Sequence, residues 1–299
     1  GDLDVDGTTN LDVVDIDGAV DMASTLAVGG QTIISSNALV ATPSTYYDEL
    51  VVQNSASGTG AGITILVNAT NGFGGVKFGD SGNSNQFGIG FDASTNAGFL
   101  DIAGGEALKI ASDGSLSTPT LGTSNVRFGV NAGNSIVSGG NYNTVVGDEA
   151  GTAITNGDEN VAVGFNSLAA INTGLHNVSV GSRALQADIK GNYSTAIGRN
   201  ALTTQSFSSS TNAYNTAVGY GAGAAVTTGV KNTFVGGLSG DSNTTASNNT
   251  AVGYNSLTES TTGHSNAAFG VNTLLLNTTG TQNTALGMGA LVFNQTASN

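Results

Sequence analysis

A glycine returns along the chain with a period that few folds can accommodate. Gly129, Gly147, Gly164, Gly181, Gly198, Gly219, Gly236, Gly253, Gly270 and Gly287 are separated by 18, 17, 17, 17, 21, 17, 17, 17 and 17 residues. A period of this size, held over ten copies, means a stack of similar units, each completing its core only against its neighbours. The long interval carries four extra residues within SFSSSTNAY, residues 206–214, an insertion that maps to a surface loop.

The chemistry around each glycine repeats as well. The residue before it is always apolar (Val163, Val180, Ile197, Val252), and two positions earlier Val or Thr stands in nine of ten copies. Strand side chains alternate, so these two columns share one face. The column between them is mostly small: Ala162, Ala196, Ala217, Ala251, Ala268 and Ala285. A helix would need apolar spacings of three and four. Four residues before the glycine stands Asn, as in Asn160, Asn177, Asn249 and Asn266, with Ser194 the one substitute. Four residues after it stands Leu in six copies and Gly in four, and a second glycine follows at plus ten in seven. Each copy therefore reads as strand, glycine turn, second short strand, glycine turn: one rung of an all-β solenoid or β-roll. The Asn column is expected to form a ladder bonded to the backbone of the next rung, since an amide both donates and accepts. Ten rungs at about 4.8 Å each make a shaft of roughly 48 Å.

A rung of this length encloses little. With the Val and Thr columns taken as its core, the small-residue face is left wanting close backbone contact. Three rungs around a common axis would bury both faces, so the expected state is a homotrimer.

Composition narrows the function. Gly is 45 of 299 residues but has no three-residue period, which excludes collagen. The net charge of −14, from 21 acids and 7 bases, lacks the basic footprint of a nucleic-acid binder. No stretch approaches the length of a membrane-spanning helix, and no membrane insertion is expected. With no cysteine, there is no disulfide framework or thiolate metal site. The opening Gly1-Asp2-Leu3-Asp4 has neither the basic nor the apolar part of a secretion leader.

Before the repeats, residues 1–40 alternate Asp with Leu, Val or Ile and break at glycines, an acidic repetitive β shaft segment. Residues 41–122 hold the only two prolines and several glycine-rich β segments, a β-rich module; residues 123–299 are the ten-rung shaft. The stretch GITILVNATNGFGGVKFGDSGNSNQFGIGFDASTNAGFLDIAGGEALKIASDGSL, residues 62–116, resembles a module of phage tail-fibre and tailspike-like proteins. In those it commonly precedes a self-cleaving chaperone of the endosialidase type. The opening LDVDGTTNLDVVDIDGAVDMASTLAVGG resembles their repetitive shaft, and the NTAVG-type repeats are similar to the heads of trimeric bacterial adhesins. These resemblances imply a homotrimeric structural fibre of a virion tail or extracellular surface appendage. Its partners would be itself, other virion or appendage proteins, and a host surface glycan or protein.

Candidate chemistry is sparse. Asp2, Asp4, Asp6 and Gly7 begin like a calcium loop, but the twelfth position is Val13 where the loop needs Glu, so no metal is expected. The pairs Asp148-Glu149 and Asp158-Glu159 put adjacent residues on opposite faces, whereas glycoside hydrolysis needs two carboxylates facing one sugar. His176 and His264 fall in turns without a partner pattern, and the tracts at Gly221–Gly223 and Gly236–Gly237 are turns without a phosphate-loop lysine. No catalytic residue and no cofactor is expected. A fibre-borne glycan depolymerase or a bacterial trimeric adhesin are the alternative readings. Tyr142, Tyr193 and Tyr214 share the slot five before the glycine, and Tyr220 and Tyr254 the slot just after it. These are the candidate receptor contacts, against the plainer reading that they cap the core at turns.

Overall fold

The computed structural model describes residues 73–80, 83–92, 94–102, 105–118 and 121–298, and every regular element in them is a β-strand. The acidic segment 1–40, with Asp2, Asp4 and Asp6, lies outside the described residues.

The first element group is an antiparallel meander of five strands: β1 (Phe73–Asp80), β2 (Asn83–Asp92), β3 (Ala97–Ile102), β4 (Gly105–Ile110) and β5 (Leu116–Ser117). Register places Ile89 opposite Leu100, and Leu100 opposite Leu108, on one face. Phe91, Ile102 and Ile110 join them on that face and are largely exposed.

The repeats form a solenoid. Ten three-residue strands stack in parallel: β6 (Val126–Phe128), β7 (Thr144–Val146), β8 (Val161–Val163), β9 (Val178–Val180), β11 (Thr195–Ile197), β13 (Thr216–Val218), β14 (Thr233–Val235), β15 (Thr250–Val252), β16 (Ala267–Phe269) and β17 (Thr284–Leu286). Pairing is in strict register, Val161 opposite Val178 and Thr233 opposite Thr250. The four-residue insertion does not disturb it, since Thr195 still faces Thr216. Two dipeptides beside the insertion, β10 (Gly191–Asn192) and β12 (Thr211–Asn212), pair in parallel as well.

Each strand ends at its repeat glycine with φ between 113° and 138°. That region is costly for any residue with a Cβ. Packing makes the same demand: a Cβ on Gly253 would stand 2.4 Å from the carbonyl oxygen of Gly270 in the next rung. Past the glycine, the backbone turns by alternation. In the rung of Gly164, Asn166 (φ 54°), Leu168 (φ 54°) and His176 (φ 58°) are left-handed, and corresponding positions repeat this in other rungs. A second strand in each rung was expected from the sequence, and the structure replaces it with turns. Left-handed residues two apart bend the chain too sharply for extended pairing, although the backbone still bonds rung to rung, as from Leu185 N to Ala201 O at 3.0 Å.

The inside and outside of the strand are also the reverse of the sequence expectation. The small middle column faces inward: Ala162, Ala196, Ala217, Ala251 and Ala268 are fully buried. The Val and Thr columns on either side of it face outward and remain partly exposed. The reason is volume. The leucine four residues after the glycine (Leu168, Leu185, Leu202, Leu257, Leu274) fills the rung from the opposite wall and is fully buried. Only a small residue fits across from it.

The exceptions obey the same constraint. Four rungs carry glycine in place of that leucine: Gly133, Gly151, Gly223 and Gly240. They bracket the two rungs whose middle residue is a large apolar one, Val145 and Phe234. A Cβ on Gly133 or Gly151 would stand 2.9 or 2.7 Å from the Val145 methyls, and one on Gly240 would stand 2.4 Å from the Phe234 ring. At the first rung Arg127 takes the middle slot, and its Nε donates to the Ala132 carbonyl at 2.6 Å, placing a polar group at that end of the stack.

This size matching makes a prediction. Phe234→Ala should cost about 3–5 kcal/mol through the cavity it leaves. Gly240→Leu alone should also destabilise, by overpacking. The triple change Phe234→Ala, Gly223→Leu, Gly240→Leu rebuilds the commoner arrangement and should recover most of the loss. Thermal melting checks it: a triple variant no more stable than Phe234→Ala would show that the two columns do not fill one space.

Candidate receptor-contact surface and the ladder behind it

One buried column holds the surface in register. Asn160 donates its backbone N–H and its Nδ2 to Asn143 Oδ1, at 3.0 and 3.2 Å, and Nδ2 also reaches Gly174 O at 2.8 Å. Asn177 repeats all three contacts on Asn160 and Gly191. Further on, Asn249 N–H donates to Asn232 Oδ1 and Asn266 N–H to Asn249 Oδ1, at 3.0 and 2.9 Å. The side chains of Asn143, Asn160, Asn177, Asn215, Asn232 and Asn249 are fully buried. The ladder read from the sequence is present, and it joins each rung to the next through side chain and backbone together.

The asparagine column alone does not show how the gap at Ser194 is closed. Ser194 N–H still donates to Asn177 Oδ1, at 2.9 Å, but serine has no amide to pass on. Gln205 reaches in instead: its Nε2 donates to Ser194 Oγ at 3.0 Å and to Asp188 Oδ2 at 2.6 Å, while its Oε1 accepts from Asn215 Nδ2 at 2.8 Å. The available signal was that the one ladder exception directly precedes the one long repeat. Asp188 is fully buried. Burial pushes its carboxyl above the ordinary value, an effect opposed by the bonds from Gln205 and from the backbone N–H groups of Gly191, Phe207 and Lys190.

The aromatic candidates fall into two columns with different geometry. Tyr142, Tyr193 and Tyr214 stand at left-handed turn positions with φ of 57°, 60° and 51°. His176 occupies the same slot, and its ring stacks on Tyr193 at 4.9 Å and 12°, which stacks in turn on Tyr214 at 5.2 Å and 14°. His176 Nδ1 also lies 3.2 Å from Glu159 Oε2. Tyr193 thus has both ring faces covered and offers only its edge. Tyr220 and Tyr254, in the slot after the glycine, are about half exposed and separated by Gly237. Arg199 lies over Tyr220 at 5.8 Å, and Arg183 over Phe165 at 6.0 Å.

The remaining candidates are turn residues. Glu149 and Glu159 are left-handed with φ of 57° and 55°; Asn131 Nδ2 donates to Glu149 Oε1 at 2.7 Å, and Asn141 N–H donates to Asp158 Oδ1 at 2.6 Å. The two acidic pairs lie at opposite ends of the rung's strand and do not face each other. His264 is exposed beside Ser265. Among the described residues, no three His, Asp or Glu side chains form a group able to hold a metal ion. Among those residues, no helix is long and apolar enough to cross a membrane. Compared with protein-family models, curated proteins and solved structures, the chain matches none of them.

Asp188 makes the interior sensitive to pH in a defined direction. Its folded pKa is raised, so the native state favours the protonated acid, and stability falls as pH rises from the ordinary value of 3.8 through the folded value. Asp188→Asn removes that dependence on pH. Measured against the parent, the variant should gain in melting temperature as pH rises through that window, then hold a constant difference. A difference that does not change with pH would mean that Asp188 is not desolvated as described.

Proposed function

We propose that the chain is one strand of a homotrimeric structural fibre, belonging to a virion tail fibre or a similar extracellular appendage, which spaces or presents a host-binding surface. The observation that carries this is the outward face of the solenoid. Val146, Val163, Val180, Ile197, Val218, Val235, Val252 and Phe269 form an unbroken apolar row along one side of an in-register stack. Its eight residues span roughly 34 Å at strand spacing, and a continuous, partly exposed apolar row is the kind of surface that marks a contact with a partner. Copies that close around an axis parallel to the rod bury it by identical contacts and leave no open edge. The number three comes from the resemblance to trimeric fibres and adhesin heads. The apolar face of the five-stranded sheet adds a second surface suited to the same kind of contact.

The rung no longer argues for a trimer through its alanine face, because that face is the interior. It is the Val and Thr columns that call for a partner. As a fibre, the protein needs no catalytic group, no cofactor and no nucleic acid. Its partners are its own copies, neighbouring appendage proteins and a host glycan or protein.

Light scattering on the purified chain tests this directly: a mass three times that of one chain is expected. Val163→Asp with Val180→Asp, placed on the outward row, should lower that mass while rungs remote from them keep their strand signal in circular dichroism. A parent that stays monomeric at micromolar concentration overturns the assembly, and release of reducing ends from bacterial polysaccharide overturns the structural role.

A further inference from the structure

We propose that the solenoid edge just after the turn glycines, over the rungs of Gly164 to Gly253, binds an acidic polysaccharide through the carboxylates on its sugars. This rests on the receptor-presenting part of the reading above and names the ligand class.

One surface column there runs Phe165, Ser182, Arg199, Tyr220, Gly237, Tyr254, with Arg183 beside Ser182. Backbone bonds fix its spacing, Arg183 N–H to Phe165 O at 2.9 Å and Gly221 N–H to Arg199 O at 3.0 Å. The two guanidinium groups therefore sit on consecutive rungs, between two aromatic rings three rungs apart, about 14 Å at strand spacing. Each leans towards its own ring, Arg183 to Phe165 and Arg199 to Tyr220.

Neither arginine has an ion pair or a side-chain hydrogen bond among the described residues, and the ring contacts are their only polar engagement. In a chain with 7 bases against 21 acids, two unpaired arginines on consecutive rungs are a local exception to the overall charge. A guanidinium offers a planar fork of donors that matches a carboxylate in two parallel bonds. On one side the patch is bounded by Asp148 and Glu149, a rung before Phe165, where the sign reverses.

The aromatic residues supply the other half of the recognition. Gly237, between Tyr220 and Tyr254 in the column, has no side chain, and the Tyr254 ring lies over it, 3.4 Å from where a Cβ would stand. Both tyrosines are about half exposed, which leaves ring surface for the apolar face of a sugar to stack on. The stacked column of His176, Tyr193 and Tyr214 cannot serve in this way, because its inner ring faces are already covered. A duplex nucleic acid fits poorly, since its dense phosphates meet only two bases on a chain of net charge −14. A polysaccharide with carboxylates on its sugars sets them at separate points along the column and brings apolar ring faces to either side of them, where the flanking aromatic residues stand.

The test uses the full chain with polygalacturonate and hyaluronate as probes, and with neutral dextran, poly-glutamate and duplex DNA as comparisons. Binding of at least one acidic polysaccharide is expected, falling about tenfold or more in the Arg183→Gln, Arg199→Gln double variant at unchanged melting temperature. Tyr220→Ala should weaken it too, and neutral dextran should not bind. The inference is overturned if neither acidic polysaccharide binds, if the double variant binds as the parent does, or if poly-glutamate or DNA binds as tightly as the polysaccharides. Light scattering on the same samples separates the two readings: intact assembly without binding overturns this inference alone, and arginine-dependent binding by a monomer overturns the fibre while the site stands.

Discussion

The amide of the buried asparagine is the interaction on which the rest of the structure depends. A solenoid rung must close on itself and start the next rung at a fixed offset, and both jobs fall at the same corner. The asparagine Oδ1 accepts the backbone N–H of its counterpart one rung later, while its Nδ2 donates to a carbonyl at the far corner, as from Asn249 to Gly263 O at 2.8 Å. Buried polar atoms left unpaired cost about 1–3 kcal/mol each, so a register shift would be opposed at every step of the ladder. Gln205 shows how strictly this applies. Where Ser194 breaks the column, a longer amide from another corner restores the chain of bonds, and a buried carboxyl is tolerated beside it.

Once the register is set, the surface inherits it. Residues that share a slot become columns, and their chemistry is summed along the axis. The outward Val and Thr columns become an apolar stripe, the left-handed turn positions become a stack of rings, and the positions after the glycine become a line of arginine and aromatic side chains. A rod of this kind reads out its sequence as stripes, so a few substitutions at one slot create an extended binding surface without altering the core. Left-handed backbone at residues such as Leu168 and Leu185 costs about 1–2 kcal/mol each, and full burial of the same leucine side chains offsets it.

Much of this was legible in the amino-acid order. The period, the turn at each repeat glycine and the asparagine ladder follow from spacing and from what Gly and Asn can do. The orientation of the strand was not, and the reason is instructive. Hydrophobicity favours the Val and Thr columns as core, yet the deciding quantity is the space left by Leu168 and its equivalents, which only Ala can share. The alternation of Leu with Gly carried that information, but it becomes interpretable only when Gly240 is seen against Phe234. The turns in place of a second strand are hard to read because the left-handed positions of a rung are mostly held by residues other than glycine, as at Asn166, Leu168 and His176, which leave no propensity signal. The stack of His176 on Tyr193, and the leaning of Arg183 and Arg199 on their rings, depend on side-chain placement that a shared slot does not specify.

Two neighbouring asparagines test the central role of the ladder most directly. Asn248 is exposed at a left-handed turn position with φ of 62°, and Asn249 is buried in the ladder. Glycine suits the backbone of the first and removes only the amide of the second. Thermal melting of Asn248→Gly and Asn249→Gly should therefore diverge. Asn248→Gly should melt close to the parent, and Asn249→Gly should be destabilised by roughly 2–4 kcal/mol, as expected when a buried N–H and a buried carbonyl lose their partner. Equal melting of the two variants would contradict the account, because the buried amides would then not be what holds successive rungs in register.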